Sequence, residues 1–206
     1  IDLSEAGHQP MANHGCSIYI TYNGEIYNFL ELKRLLEGKG YIFRSKTDTE
    51  VILYLYQEYG EKCLEYLRGM FAFAIWDKSK AQLFIARDRL GKKPLKYYLD
   101  PDKKFFVFAS EIKALFEDPE VKNKKEIDYS AIDEYLTYGY VPHPKTGFKN
   151  IFKLEPAHYL IVKSNGSITK NRYWQLNFSD KLFLPEIEWK ERIISKLKES
   201  VHSILK

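Results

Sequence analysis

Four residues of this chain have types and spacing that could act on a carbonyl compound: Asn23, Gly24 and Glu25 in the stretch TYNGEIYN, and Asp48 in KTDTE. An asparagine amide at the end of a strand offers an N–H, and the glycine after it leaves a backbone N–H unobstructed. Two convergent donors of this kind are what an oxyanion hole requires. Glu25 and Asp48 each stand beside a turn or a helix start, where an acid can receive an ammonium group. Together the four describe a pocket for a zwitterion with a carbonyl to attack. The same residues also read as an Asn-Gly hairpin turn followed by an ordinary N-cap. On spacing alone the turn is the simpler reading, so turn and site both stay open at this point.

A nucleophile in suitable company is harder to find. Cys16 and Cys63 form no metal or redox spacing, and apart from Lys62 before Cys63, which follows Glu61, neither has basic company in sequence that would lower its thiol pKa. Each reads as a small buried apolar residue. Ser110, in ASE, lacks the glycines of a nucleophile elbow. His8, His14, His143, His158 and His202 are scattered and read as surface or turn residues. No metal-ligand spacing is present. RDRLGKKPL has a single glycine and fits a turn better than a phosphate-cradling loop.

The elements that must hold these residues follow from periodicity. Residues 17–22 alternate, with Ile18, Ile20 and Tyr22 on one face, and predict a strand. Asn28 three residues before Glu31 resembles a capping box, and Phe29, Leu32, Leu35 and Leu36 continue at helical spacing to a stop at Gly38. Thr47 or Asp48 caps a second helix that ends at Gly60. A short helix, CLEYL, leads into MFAFAIWD, QLFIARD, PLKYYL and KFFVFAS, four strands separated by turns. The first of these is apolar on both sides of its alternation, so both its faces are expected to be covered. SEIKALF and YSAIDEYLTYG are helical, and HYLIVKSNGSITKNRYW is a hairpin turning on Asn165-Gly166. Residues 188–206 form a helix with Trp189, Ile193, Leu197 and Val201 on one stripe. Antiparallel strands with helices clustered before and after them argue an α+β fold of sheet and helix layers.

Bulk properties exclude several classes. With 206 residues, 45% hydrophobic and 16% aromatic, the chain can bury a sizeable core and is not disordered. A formal charge of +4 arises from 32 basic and 28 acidic residues interleaved along the chain, which is no nucleic-acid footprint. The densest basic run, VKNKKE at 121–126, reads as a solvated loop. No segment approaches the roughly 18 apolar residues of a membrane span, and a cytoplasmic protein is expected. The chain starts in mid-pattern at Ile1 without Met and stops inside a helical pattern, so it is expected to be a piece of something longer.

Several blocks, in one order and nearly end to end, resemble the glutaminase domain of the glutamine-hydrolysing asparagine synthetase family. They are IDLSEAGHQPM at 1–11, YNGEIYNF at 22–29, TDTEVILYLYQEYG at 47–60, LRGMFAFAIWD at 67–77, LFIARDRLGKKPL at 83–95, FASEIKALF at 108–116, and EYLTYGYVPHPKTGFKNIFKLEPAHYL at 134–160. The Arg-Asp…Gly…Lys-Pro-Leu element resembles class II amidotransferases broadly, and YGYVPHPKT points to the asparagine synthetase branch.

The resemblance implies an N-terminal-nucleophile αββα sandwich of two antiparallel sheets flanked by helices, here incomplete. It implies a domain at 1–178, with 179–206 a linker and the first helix of an ATP-dependent synthetase domain. In the family an N-terminal Cys attacks the side-chain amide of L-glutamine, releases ammonia, and leaves a thioester for water to hydrolyse. Asn23 and the Gly24 N–H would then form the oxyanion hole, and Glu25 and Asp48 would hold the substrate's α-amino group. His8, Arg87, Asp88 and Arg89 fall at positions read as structural. The nucleophilic Cys, and the Arg that binds the glutamine carboxylate, are expected upstream of Ile1; Cys16, in mid-chain, does not replace the former. No cofactor is expected in this domain. ATP and Mg²⁺ are expected in the synthetase domain, its natural partner, and the resemblance admits a homodimer. The 206-residue chain by itself is expected to have no glutaminase activity, which an ammonia-release assay on the purified chain checks.

Overall fold

In a computed structural model that describes residues 7–102 and 105–204, the alternating runs become two antiparallel sheets. The larger has the order β1-β2-β3-β4-β8-β9, with β1 Met11–Ala12, β2 Ile18–Ile26, β3 Gly69–Asp77, β4 Gln82–Arg87, β8 His158–Lys163 and β9 Ile168–Arg172. The smaller has the order β6-β5-β7, with β5 Lys96–Leu99, β6 Phe106–Ala109 and β7 Ile151–Lys153. The helices are α1 Phe29–Glu37, α2 Asp48–Tyr59, α3 Cys63–Tyr66, α4 Ile112–Leu115, α5 Pro119–Asn123, α6 Tyr129–Tyr138 and α7 Glu186–Ile204.

Successive side chains of a strand point to opposite faces, and here each face has its own cover. Ile18, Ile20 and Ile26 of β2, Phe71, Phe73 and Ile75 of β3, and Phe84 of β4 pack against Leu32 and Leu36 of α1 and residues 51–56 of α2. Ala72, Ala74, Ile85 and Leu160 face the other way and meet Tyr97 of the smaller sheet. On the outer side of that sheet, Tyr98 and Ile151 are covered by Leu115 of α4 and Val121 of α5. The layers therefore run helix, sheet, sheet, helix, the αββα sandwich that the sequence resemblance implies. β3 is apolar on both faces because both faces are buried.

Several local expectations are corrected. Asn23-Gly24 is no hairpin turn: β2 runs straight through it and pairs with β3, Asn23 opposite Ala72, Gly24 opposite Phe71 and Glu25 opposite Met70. Asn165-Gly166 does turn the chain, between β8 and β9, with Gly166 at φ +80°. Thr47, not Asp48, caps α2, its hydroxyl accepting from the Glu50 N–H at 3.3 Å. Asn28 makes no capping bond. Its side chain is spent on the entrance of β3, donating to Tyr66 O and accepting from Arg68 N–H, both at 3.0 Å. Cys63 is buried as expected, but Cys16 is exposed, at φ +48°. The basic run at 121–126 begins inside α5 and buries Val121. β1 and β7, two and three residues long, leave no periodic signal to read.

Residues 173–185 form no strand or helix. On α7 the stripe of Trp189, Ile193, Leu197 and Val201 is present and exposed. Among the described residues no helix is long and apolar enough to cross a membrane.

Candidate active site

β1 pairs with β2 only at Tyr19 and Ile20, so past Ile20 one edge of β2 has no strand beside it among the described residues. In an antiparallel ladder the N–H groups of alternate residues point to the same side. Tyr22 N–H donates to Gln9 Oε1 at 2.6 Å, and Ile26 N–H donates to Asp48 Oδ2 at 2.9 Å. Both point away from β3, and Gly24, midway between them, does the same. Its partner across the ladder agrees: Phe71 turns its N–H to Asp88 Oδ2 at 3.2 Å and its carbonyl to the Asp88 N–H at 2.8 Å. Two side chains thus occupy the flanking edge positions, while among the described residues nothing accepts from the Gly24 N–H.

Alternation along β2 puts Asn23 and Glu25 on the face opposite Ile20 and Ile26, toward the smaller sheet. There Asn23 lines a cavity of about 220 Å³ between the sheets, with Thr21, Ala72, Ala74, Phe108 and Ser110. Glu25 is exposed at the same end of the strand.

Asp48 arrives from the helical layer. The loop before α2 is tied down by the buried Glu50 carboxylate, which accepts from Arg44 N–H at 3.0 Å, Ser45 N–H at 2.8 Å and the Ser45 hydroxyl at 2.6 Å. With Thr47 as cap, the first helical residue is set over the β2 edge, where Asp48 Oδ2 also accepts from the Tyr22 hydroxyl at 2.7 Å. Burial first, then the charge and hydrogen bond of Asp48 and the charge of Glu25, push the Tyr22 phenol far above its ordinary range, so it stays protonated as a donor. Burial and the Glu25 and Asp88 carboxylates raise Tyr27 in the same direction.

The structure therefore brings the four sequence-derived residues to one end of β2. Asn23, Gly24 and Glu25 come from consecutive positions, and Asp48 from a separate element. Gln9 and Tyr22 were not singled out from sequence. Their contacts join residues far apart in the chain, and only the position of Tyr22 inside TYNGEIYN hinted at a role.

The other groups lie at the surface or make contacts within the fold, and His158, read as a surface or turn residue, lies in β8. Burial pushes the Cys63 thiol well above its usual range, which makes it inert. His8, His14, His143 and His202 are exposed, and His158 is half-buried with Nδ1 at 2.8 Å from Pro156 O. Arg87 donates to the carbonyls of Lys93, Leu154 and Gly91. Asp88 accepts from the amides of Leu90, Lys92 and Lys93 as well as Phe71. RDRLGKKPL is thus a clasp around Asp88 and not a phosphate loop. Among the described residues no group of three or more His, Cys, Asp or Glu could hold a metal ion.

Comparison with known proteins places the chain in a family. A family model described as a glutamine amidotransferase domain matches residues 1–174. Asparagine synthetase [glutamine-hydrolyzing] 1 of Bacillus subtilis is 37% identical over 202 residues, covering 98% of this chain and 30% of its own length. Amidase chry2 of Gibberella zeae is 33% identical over 212 residues, covering 100% of this chain and 30% of its own length. The chain thus spans about a third of the length of the curated relatives it matches. Among solved structures, glutamine phosphoribosylpyrophosphate amidotransferase from B. subtilis, complexed with ADP and GMP, matches with a TM-score of 0.55 and 22% identity. That match covers 82% of this chain and 32% of the other, a likeness that carries the fold alone. The strand bearing Asn23, Gly24 and Glu25, the helix bearing Asp48 and both sheets all lie inside the matched span, and the chain belongs to the glutamine amidotransferase domain family.

Proposed function

We propose that this chain is the glutamine-hydrolysing part of a longer, cytoplasmic, glutamine-dependent asparagine synthetase, and that it supplies ammonia for the ATP-dependent amidation of aspartate. In this reading the domain ends near residue 178 and α7 opens the synthetase part, where ATP and Mg²⁺ act. L-Glutamine sits at the open end of β2. The Asn23 amide and the Gly24 N–H receive the oxygen of the side-chain carbonyl as a thiolate adds to its carbon. Donors fixed in place stabilise that charge without having to reorganise. The C–N bond then breaks, ammonia leaves, and water cleaves the thioester to glutamate. Glu25 and Asp48 hold the α-ammonium group. The thiolate belongs to the N-terminal Cys that the resemblance implies upstream of Ile1.

The observation that carries the reading is the hydrogen-bond accounting on the β2 edge. Tyr22 and Ile26 N–H are taken by side chains, and among the described residues the Gly24 N–H between them, beside Asn23, has no acceptor. In the full-length natural protein, Asn23→Ala is expected to lower kcat for ammonia release from glutamine about 100-fold, with a smaller change in KM. An unchanged kcat would overturn the assignment. A second reading keeps this site but gives the ammonia to a different acid. A relative matched over the whole chain carries the name amidase and not asparagine synthetase, so similarity in this domain does not by itself fix aspartate as the acceptor. Which acid the full-length protein consumes with ATP separates the two.

A further inference from the structure

Asp48 has obligations before any substrate arrives. A carboxylate offers about four lone-pair positions, and Oδ2 spends its share on the Tyr22 hydroxyl at 2.7 Å and the Ile26 N–H at 2.9 Å. Both donors belong to β2, and Tyr22 directly precedes Asn23 in the strand. The carboxylate is therefore anchored to the same strand that carries the oxyanion donors, although Asp48 itself belongs to α2. A single hydrogen bond would leave it free to turn about its last torsion; the second, from Tyr22, restrains that rotation, and among the described residues Oδ1 has no hydrogen-bond donor. The Tyr22 side chain packs against the core on the helical face of β2, whereas Asn23 alternates to the other face; both residues' stretch of the strand lines the cavity there. Tyr22 can thus act on recognition and stands back from the bond being broken.

We propose that Tyr22 is a positioning residue whose hydroxyl sets Asp48 for the substrate's α-ammonium group, so that it governs the preference for α-amino amides over amides lacking that group. The proposal rests on the function proposed above and deepens it.

The test uses the full-length natural protein. It measures KM and kcat for glutamine, and the inhibition constant of glutaramate, which is glutamine without its α-amino group. Tyr22→Phe keeps the ring and removes only the hydroxyl. Loss of a hydrogen bond to a charged group is expected to raise KM for glutamine about tenfold, with kcat and the glutaramate constant within about twofold of wild type. Asp48→Asn is expected to erase the same preference, and adding Tyr22→Phe to it should change little more, because the hydroxyl acts through the carboxylate. If Tyr22→Phe weakens glutamine and glutaramate equally, the hydroxyl serves general packing and the proposal falls. If Tyr22→Phe changes nothing while Asp48→Asn removes the preference, the proposal falls and the pocket stands. If neither variant alters the preference, the assignment of the pocket fails with it.

Discussion

Replacing Asp88 by alanine is expected to remove about 4 kcal/mol of stability, measured as a lower urea midpoint at unchanged slope. The side chain accepts from four backbone amides, those of Phe71, Leu90, Lys92 and Lys93. Leu90 and Lys92 are exposed and can turn to water when the carboxylate goes. Phe71 is 1% exposed and cannot, and Lys93 is half-buried. A buried donor stripped of its partner costs roughly 1–3 kcal/mol, and the lost bonds were to a charged acceptor, which are worth more than neutral ones. Through its backbone Asp88 also receives the N–H groups of Gly91 and Ala157 and donates to Phe71 O, so it joins β3, the following clasp and the turn before β8. Phe71 is the residue directly opposite Gly24. Loosening it should carry into the candidate site, and turnover in the full-length protein should fall along with stability. A loss below about 1 kcal/mol would mean that Arg87, with its three carbonyl partners, holds the clasp unaided.

How far the sequence could be read depended on how local each cause was. The strand β3, the helical stripe of α7 and the Asn165-Gly166 hairpin are set by neighbours within a few residues and are found where periodicity puts them, whereas β2 runs on to Ile26, past the 17–22 alternation. The four candidate residues were legible as types, and the resemblance implied roles for them. Their geometry was not legible, because it depends on partners far along the chain. Asn-Gly appears twice and means different things. At 165–166 the two strands to be joined are adjacent, and glycine supplies a positive φ. At 23–24 the partner strand comes more than forty residues later, and glycine is needed for the closeness of two backbones. Asn28 has the spacing of a capping box, yet a tertiary bond to the β3 entrance outcompetes the local one. Tyr22 and Gln9 escaped for the same reason. Nothing in a strand's alternation says that an edge N–H is taken by a side chain or that a tyrosine reaches an aspartate on a later helix.

Gly24→Ala is expected to be a severely damaging change, costing about 3 kcal/mol or more. A Cβ at Gly24 would lie 2.3 Å from Met70 O, 2.8 Å from Phe71 Cα and 2.8 Å from Tyr22 Cε2. Two of those atoms are backbone and cannot rotate aside. The crowding is shared two residues along, where Gly69 stands opposite Ile26 and a Cβ on it would lie 2.1 Å from Glu25 O. The geometry of the ladder explains why. Gly24 and Phe71 turn their hydrogen-bonding groups away from each other, and such pairs bring the two Cα atoms to about 4.5 Å, closer than hydrogen-bonded pairs. To admit the methyl, β2 and β3 must part. Phe71 and Ile26, each 1% exposed, then leave their places in the core, and the ring of Tyr22 is displaced from beneath Asp48. Stability and the candidate site are therefore lost together. In the full-length protein, glutamine turnover should drop at least as far as in Asn23→Ala, because the variant disturbs both of the proposed oxyanion donors and the proposed ammonium acceptor. A Gly24→Ala protein with wild-type urea midpoint and turnover would show that β2 can move away from β3 without cost. The edge would then not be the fixed frame that the proposed chemistry requires.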